Sequence, residues 1–95
     1  MSKPTLLEYV NKYGMAAGLR MMVSISKYNK KEFIELAQKY EDFHKRREWI
    51  MLITAKMTFD ERPEDEKEFL RECTRLDEFA EQIISRNKDI VLSEI

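Results

Sequence analysis

The sequence has few residues that interrupt a helix. Two glycines and two prolines occur in 95 residues, and no apolar stretch shows the sustained two-residue alternation of a half-buried strand. Chain breaks are therefore expected at only a few points. A chain of this length favours one small core without a roomy enclosed pocket. We predict an all-α protein with a single domain over residues 1–95.

Cysteine is nearly absent as well. The single cysteine, Cys73, excludes an internal disulfide, and we expect it to pack as a small apolar residue. Small domains without disulfides are typical of a reducing compartment, and the polar start of the chain is not the pattern of a secretory signal. The apolar segment 13–25 contains Arg20 and is shorter than the roughly 20 residues that cross a bilayer. We predict a cytoplasmic protein with no membrane partner.

Neither sign of charge is in excess. The chain has seventeen Lys and Arg residues and eighteen Asp and Glu residues, which gives a formal net charge of -1. Proteins that hold DNA, RNA or an anionic membrane by bulk electrostatics carry excess positive charge. Only a local patch could act in this way, and the best one is HKRREW, residues 44–49, with Lys45 and Arg46 as possible nucleic-acid contacts. Acidic residues interleave with it, which favours a solvated, ion-paired face.

Motifs for catalysis and cofactor binding are missing. The sequence contains no glycine-rich phosphate loop, no nucleophile paired with a histidine and no His–Cys metal cluster. Arg20, His44 and Arg47 could form a small pocket for an anion. We expect instead that each reaches solvent or pairs with an acid of the last helix, such as Glu72 or Asp77. We predict no catalytic residues and no cofactor.

Two acidic pairs raise the question of a metal site. The spacing of Glu32 and Glu35, and of Glu61 and Glu64, resembles the paired carboxylates with which helical nucleotide hydrolases hold magnesium. Pro63 interrupts the second pair, and such matches arise by chance among eighteen acidic residues. We predict no metal site.

Capping signals divide the chain into three long helices. Thr5 and Glu8 have the spacing of a capping box, Asn29 is a suitable N-cap, and Pro63 fits a first helical turn. We predict an antiparallel bundle of three helices at about residues 6–26, 30–57 and 63–86, completed by dimerisation. Residues 88–95 could continue as helix or form a loose tail. The stripe of the last helix that we expect to be buried consists of Phe69, Leu70, Cys73, Leu76, Phe79, Ala80, Ile83 and Ile84.

The stretch MAAGLRMMVSI, residues 15–25, is apolar almost all round. Only Arg20 and Ser24 in it are plainly hydrophilic, whereas a helix of a three-helix bundle normally keeps one face in water. Gly14 and Gly18 each cost a helix about 0.5–1 kcal/mol relative to alanine, so a close helix contact is expected to offset them. That contact lies either within the monomer or against a second copy or another protein.

The stretch EWIMLITA, residues 48–55, makes the second helix apolar all round toward its end. It places Trp49, Leu52 and Ile53 opposite the apolar stripe of that helix. Large exposed apolar patches mark interaction sites, and Trp and Met suit them. The predicted partner-binding residues are Gly14, Gly18, Met21, Met22, Trp49, Leu52 and Ile53.

These patches predict a function in binding. We expect a small non-enzymatic regulator, inhibitor or adaptor that binds a protein partner through apolar helix faces and forms a homodimer through its first two helices. Its size suits a phage or mobile-element protein. The alternative is a nucleic-acid-binding regulator that uses Lys45 and Arg46 on the basic face of the second helix.

Overall fold

The computed structural model describes residues 3–92, and its regular structure is helical, as predicted. The described chain forms α1 (Leu6–Tyr13), α2 (Met15–Ile25), α3 (Lys30–Ile53) and α4 (Glu64–Asn87), with a 3-10 turn at Phe59–Glu61 between α3 and α4. The prediction of three long helices is not confirmed, because the segment predicted as one helix over 6–26 forms two short ones. The other two predicted helices correspond to α3, which ends earlier than expected, and to α4, which is shifted by one residue.

Gly14 separates α1 from α2. Its backbone has φ 98° and ψ 168°, a conformation that is essentially restricted to glycine. This turn directs α1 back along α2, so that Val10 lies against Gly18 and Leu6 packs with Met22. The first predicted helix is therefore a tight antiparallel pair of helices, about half as long as the continuous rod would be.

The remaining helix ends follow local signals closely. Thr5 caps α1 as predicted, since its hydroxyl oxygen accepts a hydrogen bond from the backbone N–H of Glu8 at 3.3 Å. Asn29 precedes α3 as predicted, but its side chain makes no capping hydrogen bond. Its backbone is instead left-handed, with φ 62° and ψ 25°, which asparagine tolerates. α3 ends at Ile53 because Thr54 leaves helical geometry, with φ -112° and ψ 34°.

The segment after α4 pairs with the start of the chain. The N–H of Leu6 donates to the carbonyl of Ile90 at 2.9 Å, and the N–H of Leu92 donates to the carbonyl of Pro4 at 3.0 Å. Residues 88–92 thus form neither a long helix nor a loose tail, but a short segment attached to the start of α1. The open question about residues 93–95 lies outside the described residues.

The core consists of three small clusters along the molecule. Their buried members are Leu6, Met22 and Ile84 in the first, Leu19, Ala37 and Ala80 in the second, and Ile50, Phe69 and Cys73 in the third. The first two clusters join α2 to its neighbours. The third involves residues of α3 and α4 only, so α2 does not extend to this end of the hairpin that α3 and α4 form.

Helix lengths explain this division. α2 has 11 residues and α3 has 24, which correspond to about 16 and 36 Å at 1.5 Å per residue. Leu19 packs with Ala37 and Arg20 binds Glu41, so α2 accompanies only the first half of α3. We call α1, α2, residues 30–41 and residues 76–87 the four-helix half, and residues 42–53 with 64–75 the two-helix half.

The chain is extended for its size. Its radius of gyration is 15.6 Å, whereas a compact chain of this length has one of about 12 Å. Its accessible surface is 6977 Å² at a mass of 11.5 kDa, against about 5,800 Å² for a typical folded monomer of that mass. The fold therefore leaves about 1,200 Å² more surface uncovered than a compact monomer would.

Candidate protein-binding surface

The end of α3 carries three large apolar side chains that face water. Trp49 is 64% exposed, Leu52 is 75% exposed and Ile53 is 61% exposed. Residues three and four positions apart lie on one side of a helix, so these three side chains form one continuous surface, which we call the α3-end patch. It is located in the two-helix half, where neither α1 nor α2 reaches it.

A buried arginine fixes the helix end that presents this patch. Arg62 is only 5% exposed, and its guanidinium donates to the Thr54 hydroxyl and, at 3.2 Å, to the Thr54 carbonyl. Glu66 lies 3.7 Å away. Arg62 thus donates hydrogen bonds to the carbonyl and the hydroxyl of Thr54, where α3 ends. The last carbonyl groups of a helix need partners of this kind because they have none within the helix. The burial of Arg62 could not be predicted from the sequence, since a single Arg beside a proline carries no signal of burial.

The other predicted partner residues do not lie on this patch. Met22 is only 4% exposed, and Met21 is half-buried against the same cluster. Gly18 is buried, and a Cβ atom there would overlap Cγ2 of Val10 and lie 3.3 Å from Cδ1 of Ile84. Gly14 is exposed, but it forms the turn between α1 and α2. The close glycine contact is therefore made within the monomer, and Gly18 and Met22 are covered there.

The basic stretch of α3 is largely engaged by neighbours. The Arg46 guanidinium lies 4.2 Å from the ring centre of Phe69, a cation–π geometry. Arg47 donates a hydrogen bond to Asp77 at 2.8 Å, which is one of the pairings with an acid of the last helix that the sequence predicted. Nε2 of His44 lies 3.0 Å from Oε1 of Glu48. Lys45 is exposed on the side of α3 that carries the α3-end patch.

The three residues considered as an anion pocket do not converge. Arg20 forms a two-pronged pair with Glu41, with Nη2 at 2.6 Å from Oε2, and this hydrogen bond lowers the pKa of the Glu41 carboxyl. Arg47 and His44 line a cavity of about 10 Å³ between α3 and α4, which is about the size that one water requires. The arrangement is an ion-paired surface around a small void, and it has no space for a substrate.

Burial sets the chemistry of two groups beside this cavity. Tyr40 is half-buried there, and burial raises the pKa of its phenol, with the nearby charge of Asp77 acting in the same direction. Burial likewise raises the pKa of the Cys73 thiol, which is 3% exposed. A buried thiol that resists ionisation is a poor nucleophile, so Cys73 acts as a packing residue in the third cluster.

Glu32 and Glu35 are exposed, and the second acidic pair takes other roles. Glu61 accepts a hydrogen bond from the backbone N–H of Thr58 at 3.2 Å in a capping box, and Glu64 lies 3.5 Å from Arg71. Over residues 3–92, no group of three or more His, Cys, Asp or Glu side chains is placed to hold a metal ion. The same part of the chain contains no helix with the length and apolar character needed to span a bilayer.

A second uncovered surface lies between α3 and α4. Two adjoining depressions share Leu36 and Phe79 in their walls, and their described lining comes from residues 29–43 and 72–83. We call this surface the α3–α4 groove. Phe79 is 55% exposed at its edge, although the periodicity of α4 predicts it to be buried. Phe79 lies at the margin of the apolar stripe, and that position was the available sign of its exposure. A residue at the margin of a stripe is buried only where a third helix covers it.

Comparisons with known proteins do not assign the chain to a family. No family model, no curated protein and no solved structure matches it. Its function therefore has to be inferred from the surfaces described above.

Proposed function

We propose that this protein is a small non-enzymatic regulator, inhibitor or adaptor that binds another protein through the α3-end patch. The observation that carries the proposal is the exposure of Trp49, Leu52 and Ile53 on one side of an ordered helix end. Binding hot spots are typically large side chains, tryptophan among them, placed where a partner can remove them from water. Lys45 beside the patch would then suit an acidic margin on the partner.

A homodimer is the second part of the proposal. The fold exposes about 1,200 Å² more accessible surface than a compact monomer of the same mass does. A standard protein–protein interface buries about 800 Å² on each partner. A second copy would cover most of this excess and complete a larger helical bundle. The remaining uncovered surface is about the size of a small functional patch.

Site-specific crosslinking tests the first part of the proposal. A photoreactive amino acid at position 52 should capture a host protein, whereas the same group at Gln38 should not. Gln38 is the matched control, because it is exposed on nearly the same side of α3 but two heptads away. Equal capture from both positions would contradict the proposed site.

Affinity measurements with the purified captured protein complete the test. Leu52→Asp should weaken binding about tenfold or more, because a charge at the centre of an apolar contact is desolvated without a partner, while Gln38→Asp should have little effect. If both variants bind as the unaltered chain does, the proposal is wrong. Binding of a nucleic acid that falls steeply with salt and is lost on Lys45→Glu with Arg46→Glu would favour the alternative function.

A further inference from the structure

We infer that the α3–α4 groove is the surface on which two copies of this chain associate, with the two α4 helices antiparallel about a two-fold axis at Phe79. This inference rests on the proposed dimerisation and is independent of binding at the α3-end patch. The groove is the uncovered face of the α3–α4 hairpin, and its described lining includes no residue of α1 or α2. A second copy fits it by shape and by charge.

The shape of the groove is complementary to itself. Phe79 is more than half exposed and stands at the shared edge of two adjoining depressions, both of which include Leu36 in their walls. A two-fold interface brings the same patch of both copies together, so each protruding group must meet a hollow near the axis. Phe79 of one copy would therefore lie beside Phe79 of the other and against Leu36 in the neighbouring hollow.

The charges along α4 match only in the antiparallel arrangement. Glu72, Phe79 and Arg86 are spaced by seven residues, so they lie on one side of the helix, and all three are exposed. With Phe79 on the axis, Glu72 of each copy faces Arg86 of the other, which gives two opposite-charge pairs. A parallel arrangement would place Glu72 against Glu72 and Arg86 against Arg86, which repel. The walls of the groove also carry both signs, with Lys39 and Arg75 beside Glu72, so a second copy need not meet only like charges.

Sedimentation equilibrium of the full chain and its variants tests this inference. The unaltered chain should sediment as a dimer. Phe79→Arg should remain helical by circular dichroism and raise the dimer dissociation constant about 30-fold or more, as expected for a central contact. Glu81→Arg is the matched control, because position 81 is exposed on the opposite side of α4, and it should sediment as the unaltered chain does.

A charge exchange decides the case if Phe79→Arg fails to fold. Glu72→Arg should weaken the dimer about tenfold, and adding Arg86→Glu should restore it, because the two pairs re-form with reversed signs. A dimer that responds to neither Phe79→Arg nor the charge exchange overturns this interface and leaves dimerisation itself standing. A chain that stays monomeric at high concentration overturns both.

Crosslinking gives a geometric check. Phe79→Cys should form a disulfide-linked dimer under mild oxidation, because the two side chains meet at the axis, whereas Glu81→Cys should not. Cys73 is buried and should take no part in either variant. Equal crosslinking of both variants would contradict the proposed axis.

Discussion

Helix α2 and the end of α3 are both apolar on almost every side, yet the fold covers α2 far more than it covers the end of α3. In α2, Leu19 is fully buried and Met22 nearly so, whereas Trp49 and Leu52 in α3 are mostly exposed. The difference comes from the neighbours of each segment. α1 turns back at Gly14 and joins α3 and α4 around α2, whereas beyond residue 41 only α4 accompanies α3. Apolar composition sets which surfaces should avoid water, and helix lengths decide which of them the chain can cover itself.

Truncation of a leucine in each region should give the largest difference. Leu19→Ala should lower the free energy of unfolding by about 2–5 kcal/mol, since it leaves a cavity in a closed cluster. Leu52→Ala should change it by less than about 0.5 kcal/mol, because the side chain already faces water. Urea unfolding followed by circular dichroism measures both values. Similar losses for the two variants would show that Leu52 is a core residue.

The two glycines should resist substitution for different reasons. Gly18→Ala should destabilise the fold by about 1–3 kcal/mol through overpacking against Val10, partly offset by the better helix propensity of alanine. Gly14→Ala should cost about 1–3 kcal/mol through its backbone conformation alone. The double variant Gly18→Ala with Val10→Ala separates the two causes. Its loss of unfolding free energy should be smaller than the sum of the losses in the two single variants. For Gly14→Ala with Val10→Ala, the two losses should simply add.

The two halves should also differ in local opening. Backbone amides of α2 are expected to exchange with solvent only on global unfolding, whereas those of the last two turns of α3 should exchange through opening of the two-helix half. We expect the exchange of residues 46–53 to be at least about tenfold faster, which corresponds to about 1.4 kcal/mol. Hydrogen exchange measured by NMR on a Phe79→Arg chain tests this without dimerisation. Equal protection would mean that the molecule opens as a single unit.

Acid should have the smallest effect, and it should act in the four-helix half. The pKa of Glu41 is lowered by its hydrogen bond with Arg20, so this pair stabilises the fold above the ordinary glutamate pKa of about 4 and is lost as the pH falls through the lowered value. The loss should be slight, because the Arg20 side chain is 50% exposed and solvent screens an ion pair that is open to water. Comparing the pH dependence of melting with that of Glu41→Gln measures it. An identical acid response would show that the pair does not contribute.

The sequence predicted the helices whose ends are marked by local chemistry. Thr5 begins α1 and Pro63 directly precedes α4, because these signals act within one helical turn. It did not predict the break at Gly14. A glycine inside a helix costs only about 0.5–1 kcal/mol, so the apolar periodicity favoured one continuous helix. The contacts of Val10 with Gly18 and of Leu6 with Met22 are tertiary and favour the turn, and no local pattern records them.

The break at Gly14 also explains which of the predicted partner-binding residues are exposed in the fold. A continuous helix over residues 6–26 would be about 31 Å long and could have accompanied most of the 24 residues of α3. Because the chain turns at Gly14, Gly18 and Met22 are covered within the monomer, while Trp49, Leu52 and Ile53 are not. Both segments are too apolar for water by sequence alone, but only the helix lengths in the folded chain distinguish the covered segment from the exposed one.

Acrylamide quenching of Trp49 fluorescence tests the central claim most directly, because Trp49 is the single tryptophan of the chain. In the monomeric Phe79→Arg chain, the account predicts that acrylamide quenches the indole efficiently in the folded state, at a rate that approaches the rate in urea, since Trp49 is 64% exposed. A folded monomer whose tryptophan is strongly protected from acrylamide would show that the chain covers its own α3 end, and the proposed partner surface would not exist.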